Sequence, residues 1–359
     1  MVNSSTHIVV MAGGSGTRFW PLSRRRRPKQ VLDLDGKGTL LGRTYERIRR
    51  IAPPQQWWMV VGSAHSDACM RAAPDVPGDQ VLIEPTARNT APAVALAATQ
   101  ILHRDPGATM VVLPADHYVA DFNAFTDAIE TASHAAAQGA IVTLGIRPTY
   151  PETGFGYIHR DETDSPFPGV FRAKRFVEKP ERAVAQGYLH SGNFDWNAGI
   201  FVMRADTYMK EVKRQLPQLF GEMEGLKAHI GRADYPSMLA ACYDSISPVS
   251  VDYGIMEGAE KVYVVPVECG WSDVGSLAAL SAVHETDENG NVLIGGALAV
   301  DSTDNVVYTT GGHLVGVLGV EGLVVIHTDD ATLVVPAERA QDVRVMVEQL
   351  EKRKWSEYL

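Results

Sequence analysis

The 359 residues predict an α/β fold: a parallel sheet covered by helices on both faces, followed by a small unit of short strands. Three observations carry this. Apolar, β-branched runs alternate with helical patterns through the first 150 residues. The first run feeds directly into a glycine-rich loop. Beyond about Val283 the helical patterns stop, and short Val/Ile/Leu runs are broken every few residues by Gly, Asp, Asn or Thr. The boundary divides the chain into 1–283 and 284–359.

His7 to Met11 reads as a buried strand, Trp57 to Val61 as a second and Val81 to Ile83 as a short third. Asn89 or Thr90 can cap a helix with Pro92 in its first turn, where a missing N–H costs nothing. Val94, Ala97, Ala98, Ile101 and Leu102 then recur at helical spacing. Thr109 to Leu113 is a strand stopped by Pro114. Phe125, Ile129, Ala132 and Ala136 share one face of a helix over about 123–138, which Gly139 terminates. Ile141 to Ile146 is again a strand. From Pro151 to about 283 the pattern loosens and reads as strands and loops forming the far wall of a cleft. Arg172 to Val177, Gly199 to Met203 and Val262 to Pro266 are its strands. Asn291 to Pro336 reads as a β-solenoid or small β domain. Val343, Met346, Val347 and Leu350 then lie on one face of a final helix.

Composition excludes several function classes. No apolar run approaches the ~18 residues of a membrane span. No basic region followed by a long apolar stretch marks a signal peptide. Cys69, Cys242 and Cys269 are too few and too scattered for a disulfide framework or a zinc site, and they fit a reducing cytoplasm. A net charge of −10 opposes nucleic acid as the main partner. Arg24 to Arg27 read instead as a positive rim for a polyphosphate, or as a solvated charge run.

The loop after the first strand, Ala12-Gly13-Gly14-Ser15-Gly16-Thr17-Arg18, offers close backbone approach and N–H donors to an anion. It is not a P-loop, since no Lys-Ser or Lys-Thr follows, and it is not GxGxxG, since Phe19 stands where the third glycine belongs. A plain tight turn is the competing reading; Arg18 and Lys29 shift the balance towards phosphate. Asp116 ends a strand and Asp273 lies between a strand and a helix, and two loop aspartates converging on one cleft would suit Mg²⁺. Taken singly, each is better explained by a turn or a cap. Glu84-Pro85-Thr86-Ala87-Arg88-Asn89-Thr90 is either a capping loop or a base-reading loop. In the second case Glu84 and the backbone carbonyls are the acceptors it offers. No nucleophilic triad is evident, and His117 suits a supporting role better than that of a base.

AGGSGTRFWPLSRRRRPKQ, LPADH (113–117), VEKP (177–180), FDWNAGI (194–200) and WSDVG (271–275) give this chain its resemblance to the sugar-1-phosphate nucleotidylyltransferases. The resemblance covers roughly residues 7–280 and is strongest to the guanylyltransferases that act on mannose 1-phosphate. It implies a Rossmann-like, mixed but mostly parallel sheet with a C-terminal β-helix. It also implies transfer of GMP from GTP to α-D-mannose 1-phosphate, with Mg²⁺ or another divalent cation on Asp116 and Asp273. Arg18, Lys29, Asp116, Lys179 and Asp273 would be catalytic. Ala12, Gly13, Gly14, Gly16, Thr17, Glu84, Arg88, Asn89 and Thr90 would hold the nucleotide, and Gly156, Glu178 and Asn197 the sugar. Partners would be the two substrates and further copies of the chain as a homodimer or higher oligomer, with no nucleic acid and no membrane. A second, isomerase domain would need more chain than the roughly 75 residues after 284, so a single activity is the expectation. Two alternatives stay open: another sugar 1-phosphate (heptose, fucose or glucose), or a non-catalytic nucleotide-sugar-binding regulator.

Overall fold

Alternation along the first strand decides the layering. Ile8 and Val10 point into one core and Val9 into another, all with no exposed surface. A strand buried on both sides belongs in the middle of a sheet with helices on both faces. The computed structural model describes residues 5–14 and 16–359, so Ser15 of the glycine loop lies outside the described residues.

Nine strands form the main sheet: β1 (Thr6–Met11), β2 (Trp57–Gly62), β3 (Val81–Glu84), β4 (Thr109–Pro114), β5 (Ile141–Ile146), β6 (Gly156–Asp161), β7 (Phe171–Glu178), β8 (Phe194–Arg204) and β9 (Val262–Val267). Their order is β3-β2-β1-β4-β8-β5-β9-β7-β6. The first four are mutually parallel, as the sequence predicts. The long strand β8 runs antiparallel to both β4 and β5, which makes the sheet mixed. Parallel neighbours lie on both sides of β1, so the crevice beyond its carboxyl end is a switch point where ligands bind. The glycine loop leaves β1 there, and Asp116 follows β4 beside it.

Helices α1 (Leu40–Ile48), α2 (Ser66–Ala72), α3 (Thr90–Arg104) and α4 (Phe122–Ala137) join the early strands. Asn89 caps α3 through its Oδ1, and Asp121 caps α4 by accepting from Asn123 and Ala124 N–H. The region after Pro151 corrects the expectation of strands and loops. It also holds α5 (Arg182–Ser191), α6 (Ala205–Gln215), α7 (Pro217–Lys227), α8 (Tyr235–Ser245) and α9 (Val251–Gly254). Helices α6 to α8 pack on α3 and build the second core with Tyr208, Met209, Val212, Leu219, Met223 and Tyr243.

The C-terminal unit is a solenoid, with β10 (Val292–Ile294), β12 (Val306–Thr309) and β14 (Leu323–His327) stacked in parallel and β11 (Ala297–Val300) parallel to β13 (Val315–Leu318). β15 (Thr332–Pro336) closes it antiparallel to β14, and α10 (Val343–Lys352) follows. Buried Asn291 and Asn305 form a ladder between coils: Asn305 Nδ2 donates to Asn291 Oδ1 at 2.9 Å, and Leu323 N donates to Asn305 Oδ1 at 2.9 Å. The coils advance by 14 and then 18 residues, which is why no fixed repeat shows in the sequence. The solenoid does not stand apart. Val292, Val306, Val324, Ile326, Val343 and Leu350 share one core with Phe19, Trp20, Leu22, Leu32 and Leu34. Arg24 pairs with Asp330 and Arg25 with Glu351, so half of the arginine run ties the glycine-loop segment to the C-terminal unit.

Candidate active site

Gly13 and Gly14 follow β1 at one side of a cavity of about 480 Å³. A Cβ on Gly14 would meet nothing within 4 Å, and one on Gly13 would meet only Glu84 Oε2 at 3.7 Å, so this backbone is bare towards the cavity. Of the three loop glycines, only Gly16 is left-handed (φ 65°), and a Cβ there would collide with Lys29 Cβ. Glu84, Arg88, Asn89 and Thr90 line the same cavity, with the N-terminus of α3 facing into it. Its other end is lined by Gly156, Glu178, Asn197 and Asp252. A Cβ on Gly156 would stand 2.6 Å from Glu178 Oε2, so a larger residue there would push that carboxylate aside.

The cavity continues past His117 and Asp273 into a second space of about 320 Å³ lined by Gly16, Thr17, Arg18, Lys29 and Asp116. Here the two aspartates, far apart in sequence, come together. Lys29 Nζ donates to Asp116 Oδ2 at 2.8 Å and to the Asp273 carbonyl at 2.7 Å. Burial pushes the Asp273 carboxyl up, and the neighbouring Asp116 charge pushes it further in spite of Lys29. Burial opposes ionisation of Asp116 as well, but Lys29 and its other neighbours win and hold it low. Asp273 Oδ1 accepts from Gly275 N at 2.9 Å across a turn in which Val274 is held at φ 44°. A β-branched residue there is strained, and its full burial keeps it so.

No group of three or more His, Cys, Asp or Glu able to hold a metal exists among the described residues. Two mutually repelling carboxylates fit a hard divalent cation that takes its remaining ligands from phosphate and water. Arg18 reaches across the second space, its Nη1 3.5 Å from the Gly275 carbonyl. His117 accepts from Trp271 Nε1 through Nδ1 at 3.1 Å, and burial pushes its pKa down to about 3.

Two of the sequence-predicted residues sit elsewhere. Ala12 lies beneath the loop; its N–H donates to Val60 O and its carbonyl accepts from Gln30 Nε2. Lys179, at φ 46°, lies outside both spaces, in an adjoining hollow that Asn89, Thr90, Glu178 and Asp252 also line, and its Nζ pairs with Glu178 Oε1 at 2.7 Å.

A model of the nucleotidyl transferase family matches residues 7–290. The chain belongs to that family. In this nucleotidyl transferase, residues 295–350 match a second model, described as a MannoseP isomerase/GMP-like beta-helix domain. The mannose-1-phosphate guanylyltransferase of Klebsiella pneumoniae is 38% identical over 365 residues, covering 98% of this chain and 75% of that one. The alginate biosynthesis protein AlgA of Pseudomonas aeruginosa is 38% identical over 353 residues, 97% of this chain and 73% of that one. A crystal structure from Thermus thermophilus, described as a mannose-1-phosphate geranyltransferase, superposes with a TM-score of 0.87 at 39% identity and covers 97% of this chain and 99% of that one.

Sequence reasoning missed several members of the site. Asp252 accepts from Asn197 Nδ2 at 2.8 Å, and burial beside Glu178 pushes its carboxyl up. Arg47 of α1, fully buried, donates to the His117 carbonyl at 2.9 Å and braces the loop after β4. Tyr243 of α8 contacts Glu84 from behind. Only the Ser250 cap before α9 left a trace in the sequence, as Ser-x-x-Tyr; an arginine or a tyrosine on a helix face leaves none.

Proposed function

We propose that this nucleotidyl transferase moves GMP from GTP to α-D-mannose 1-phosphate, giving GDP-mannose and pyrophosphate. The observation that carries the chemistry is the pair Asp116 and Asp273, linked by Lys29 between a bare glycine loop and a polar pocket. The choice of sugar and base is supported by relatives known as mannose-1-phosphate guanylyltransferases, 36–38% identical over nearly the whole chain.

In this reading GTP lies along the glycine loop with its base towards Glu84 and Arg88. Gly13, Gly14, Gly16, Thr17, Asn89 and Thr90 would hold it through backbone and hydroxyl groups. Mannose 1-phosphate enters between Gly156, Glu178 and Asn197. With a second pKa near ~6, its phosphate is mostly dianionic at neutral pH and needs no base. Its oxygen forms a bond to the α-phosphorus while the bond from that phosphorus to the bridging oxygen of the β-phosphate breaks, and the electron pair leaves with pyrophosphate. A neutral His117 whose Nδ1 is taken by Trp271 agrees with a reaction free of proton abstraction. The barrier is then repulsion and misalignment between two polyanions. Asp116 and Asp273 would hold Mg²⁺ or another divalent cation, which when bound supplies charge neutralisation at phosphoryl oxygens. Arg18 and the loop amides face the departing pyrophosphate. Lys29 holds the two aspartate loops in register. Lys179, released from Glu178, swings to the incoming phosphate.

We further read 1–283 as the catalytic unit and 284–359 as a solenoid unit, in a cytoplasmic protein that self-associates. Leu298, Val300 and Leu318 stand 44–70% exposed on adjacent strands β11 and β13, an apolar face suited to a second copy. Light scattering should return a mass at least twice 39.0 kDa, and a monomer at micromolar concentration refutes the assembly. The central test incubates the enzyme and Mg²⁺ with each of four nucleoside triphosphates and a panel of hexose and heptose 1-phosphates. Pyrophosphate release with GTP and mannose 1-phosphate well above every other pair is expected. Preference for a different sugar, or binding without release, overturns the reading.

A further inference from the structure

We infer that Tyr243, on α8 and outside the 84–90 loop, is a positioning residue that aims the Glu84 carboxylate at the base and so helps set the preference for guanine. This deepens the proposed reading and rests on Glu84 as the acceptor for the guanine edge.

The geometry is a two-point clamp. Tyr243, with no exposed surface, donates its hydroxyl to Glu84 Oε1 at 3.1 Å. The same residue's carbonyl accepts from Arg88 Nε at 2.7 Å. One residue of α8 therefore fixes both charged members of the 84–90 loop. The clamp continues downstream, where Val249 N donates to Arg88 O at 3.2 Å and Val251 N to Thr90 Oγ1 at 2.8 Å. With Oε1 held from behind, Oε2 is the oxygen directed past Gly13, where a Cβ would approach it to 3.7 Å. A carboxylate pinned at one oxygen keeps a fixed plane. Guanine offers N1–H and the 2-amino group side by side, and reading that edge demands such a plane.

The environment gives the clamp a second effect. Burial pushes the Glu84 pKa up to about 7, and the Tyr243 hydroxyl pulls it back towards ionisation. Only the ionised form accepts from guanine at both oxygens. Tyr243 is the titratable group facing Glu84, and burial keeps its phenol protonated, hence a donor, throughout the working range. The backbone of Gly13 brings no charge, and the Arg88 guanidinium is turned to the Tyr243 carbonyl. Removing the hydroxyl leaves Glu84 both freer to turn and harder to ionise.

The test compares wild type, Tyr243→Phe and Glu84→Gln in steady state with GTP and with ITP, which lacks the 2-amino group, from pH 5.5 to 8.5. Titration of the triphosphate is common to all three, so the differences between proteins are the readout. Tyr243→Phe should raise KM for GTP about tenfold with kcat retained, narrow the preference for GTP over ITP, and move the acid limb of kcat/KM to higher pH. Glu84→Gln should raise KM and abolish the part of that limb that wild type adds. If Tyr243→Phe matches wild type in KM, limb and GTP:ITP ratio while Glu84→Gln does not, Tyr243 has no positioning role and the base reading survives. If Glu84→Gln itself matches wild type, the base is read elsewhere and the inference falls with its premise. Should Tyr243→Phe fail to fold, Tyr243→Met, which also removes the donor, is carried through the same comparison with the same outcomes. A wild-type pH profile identical to that of Glu84→Gln overturns the proposal.

Discussion

The Asp273 carboxylate is half-buried and the Glu84 carboxylate buried, both are kept at a cost, and each makes a separate prediction. The Asp273 carboxyl is pushed up by burial and by Asp116, so the fold itself would accept a neutral side chain there. Asp273→Asn should fold normally, since Asn can still accept from Gly275 N, and yet lose about 2.7–4 kcal/mol of transition-state stabilisation. Near-normal pyrophosphate release with Mg²⁺ would remove Asp273 from the chemistry. Glu84 makes the companion case through stability. Its folded pKa of about 7 lies above the ordinary 4.5, so its proton is held more tightly in the folded state. Its favourable contribution is complete below pH 4.5 and is lost as pH climbs through 7. Glu84→Gln should therefore be the more stable protein at pH 8 by about 3 kcal/mol, with the difference vanishing near pH 4. Urea melts of the two proteins at both pH values check the sign; a gap that widens towards acid contradicts it. Both aspartates and Glu84 stood out as candidates because an α/β sheet binds ligands beyond the carboxyl ends of its strands. Their convergence was not, because no local pattern encodes a contact between positions 116 and 273.

Legibility at the scale of elements followed the kind of sheet. The parallel half reads off the sequence because strands buried on both faces are continuous apolar runs, and β1, β2 and β4 are such runs. The antiparallel half is harder. β7 is mostly half-buried or exposed, and α5 buries little besides Ala185. Helix α6 did carry a signal, with Ala205, Tyr208, Met209 and Val212 at helical spacing. Helix α7 carries Gly221 and Gly225 on its exposed side, weak helix formers whose cost the packing of Leu219, Met223 and Leu226 overrides. Helix α1 matters to the site through one residue. Arg47 is buried with Nε and Nη2 unpartnered, while its Nη1 holds the His117 carbonyl next to Asp116. Burial pushes its pKa down to about 10, so it remains charged. Arg47→Met keeps most of the volume and relieves two orphaned donors, but leaves that carbonyl without its donor. Stability should change by less than about 2 kcal/mol, because losing the bond and losing the buried charge oppose each other. Turnover should fall about tenfold as the Asp116 loop loosens. Wild-type kcat in a protein of unchanged melting midpoint would mean that β4 alone holds this loop.

Across the whole molecule, the solenoid and the catalytic sheet are coupled through the core they share. Phe19 and Trp20, just past the glycine loop, pack with Val274, which follows Asp273, and with Val324, Ile326 and Leu350 of the C-terminal unit. Trp20 Nε1 donates to the Tyr358 carbonyl at 2.7 Å, and the Leu34 carbonyl lies 2.7 Å from His284 Nε2. The strained φ of Val274 persists because this core surrounds it, so the aim of Asp273 depends in part on residues 50 or more positions further along the chain. Ile326→Ala removes a fully buried side chain from the solenoid side of that core and should cost about 2–5 kcal/mol. If the core is continuous, the loss appears as one earlier unfolding transition. Tryptophan fluorescence, dominated by the catalytic sheet, and pyrophosphate release would then fade together. Below that transition, kcat should already be reduced, because Val274 relaxes and Asp273 turns from the cavity before the sheet melts. Two separate transitions, with full turnover persisting after the solenoid has unfolded, would show that the aspartate turn keeps its strain unaided and that the C-terminal unit is mechanically independent of the site.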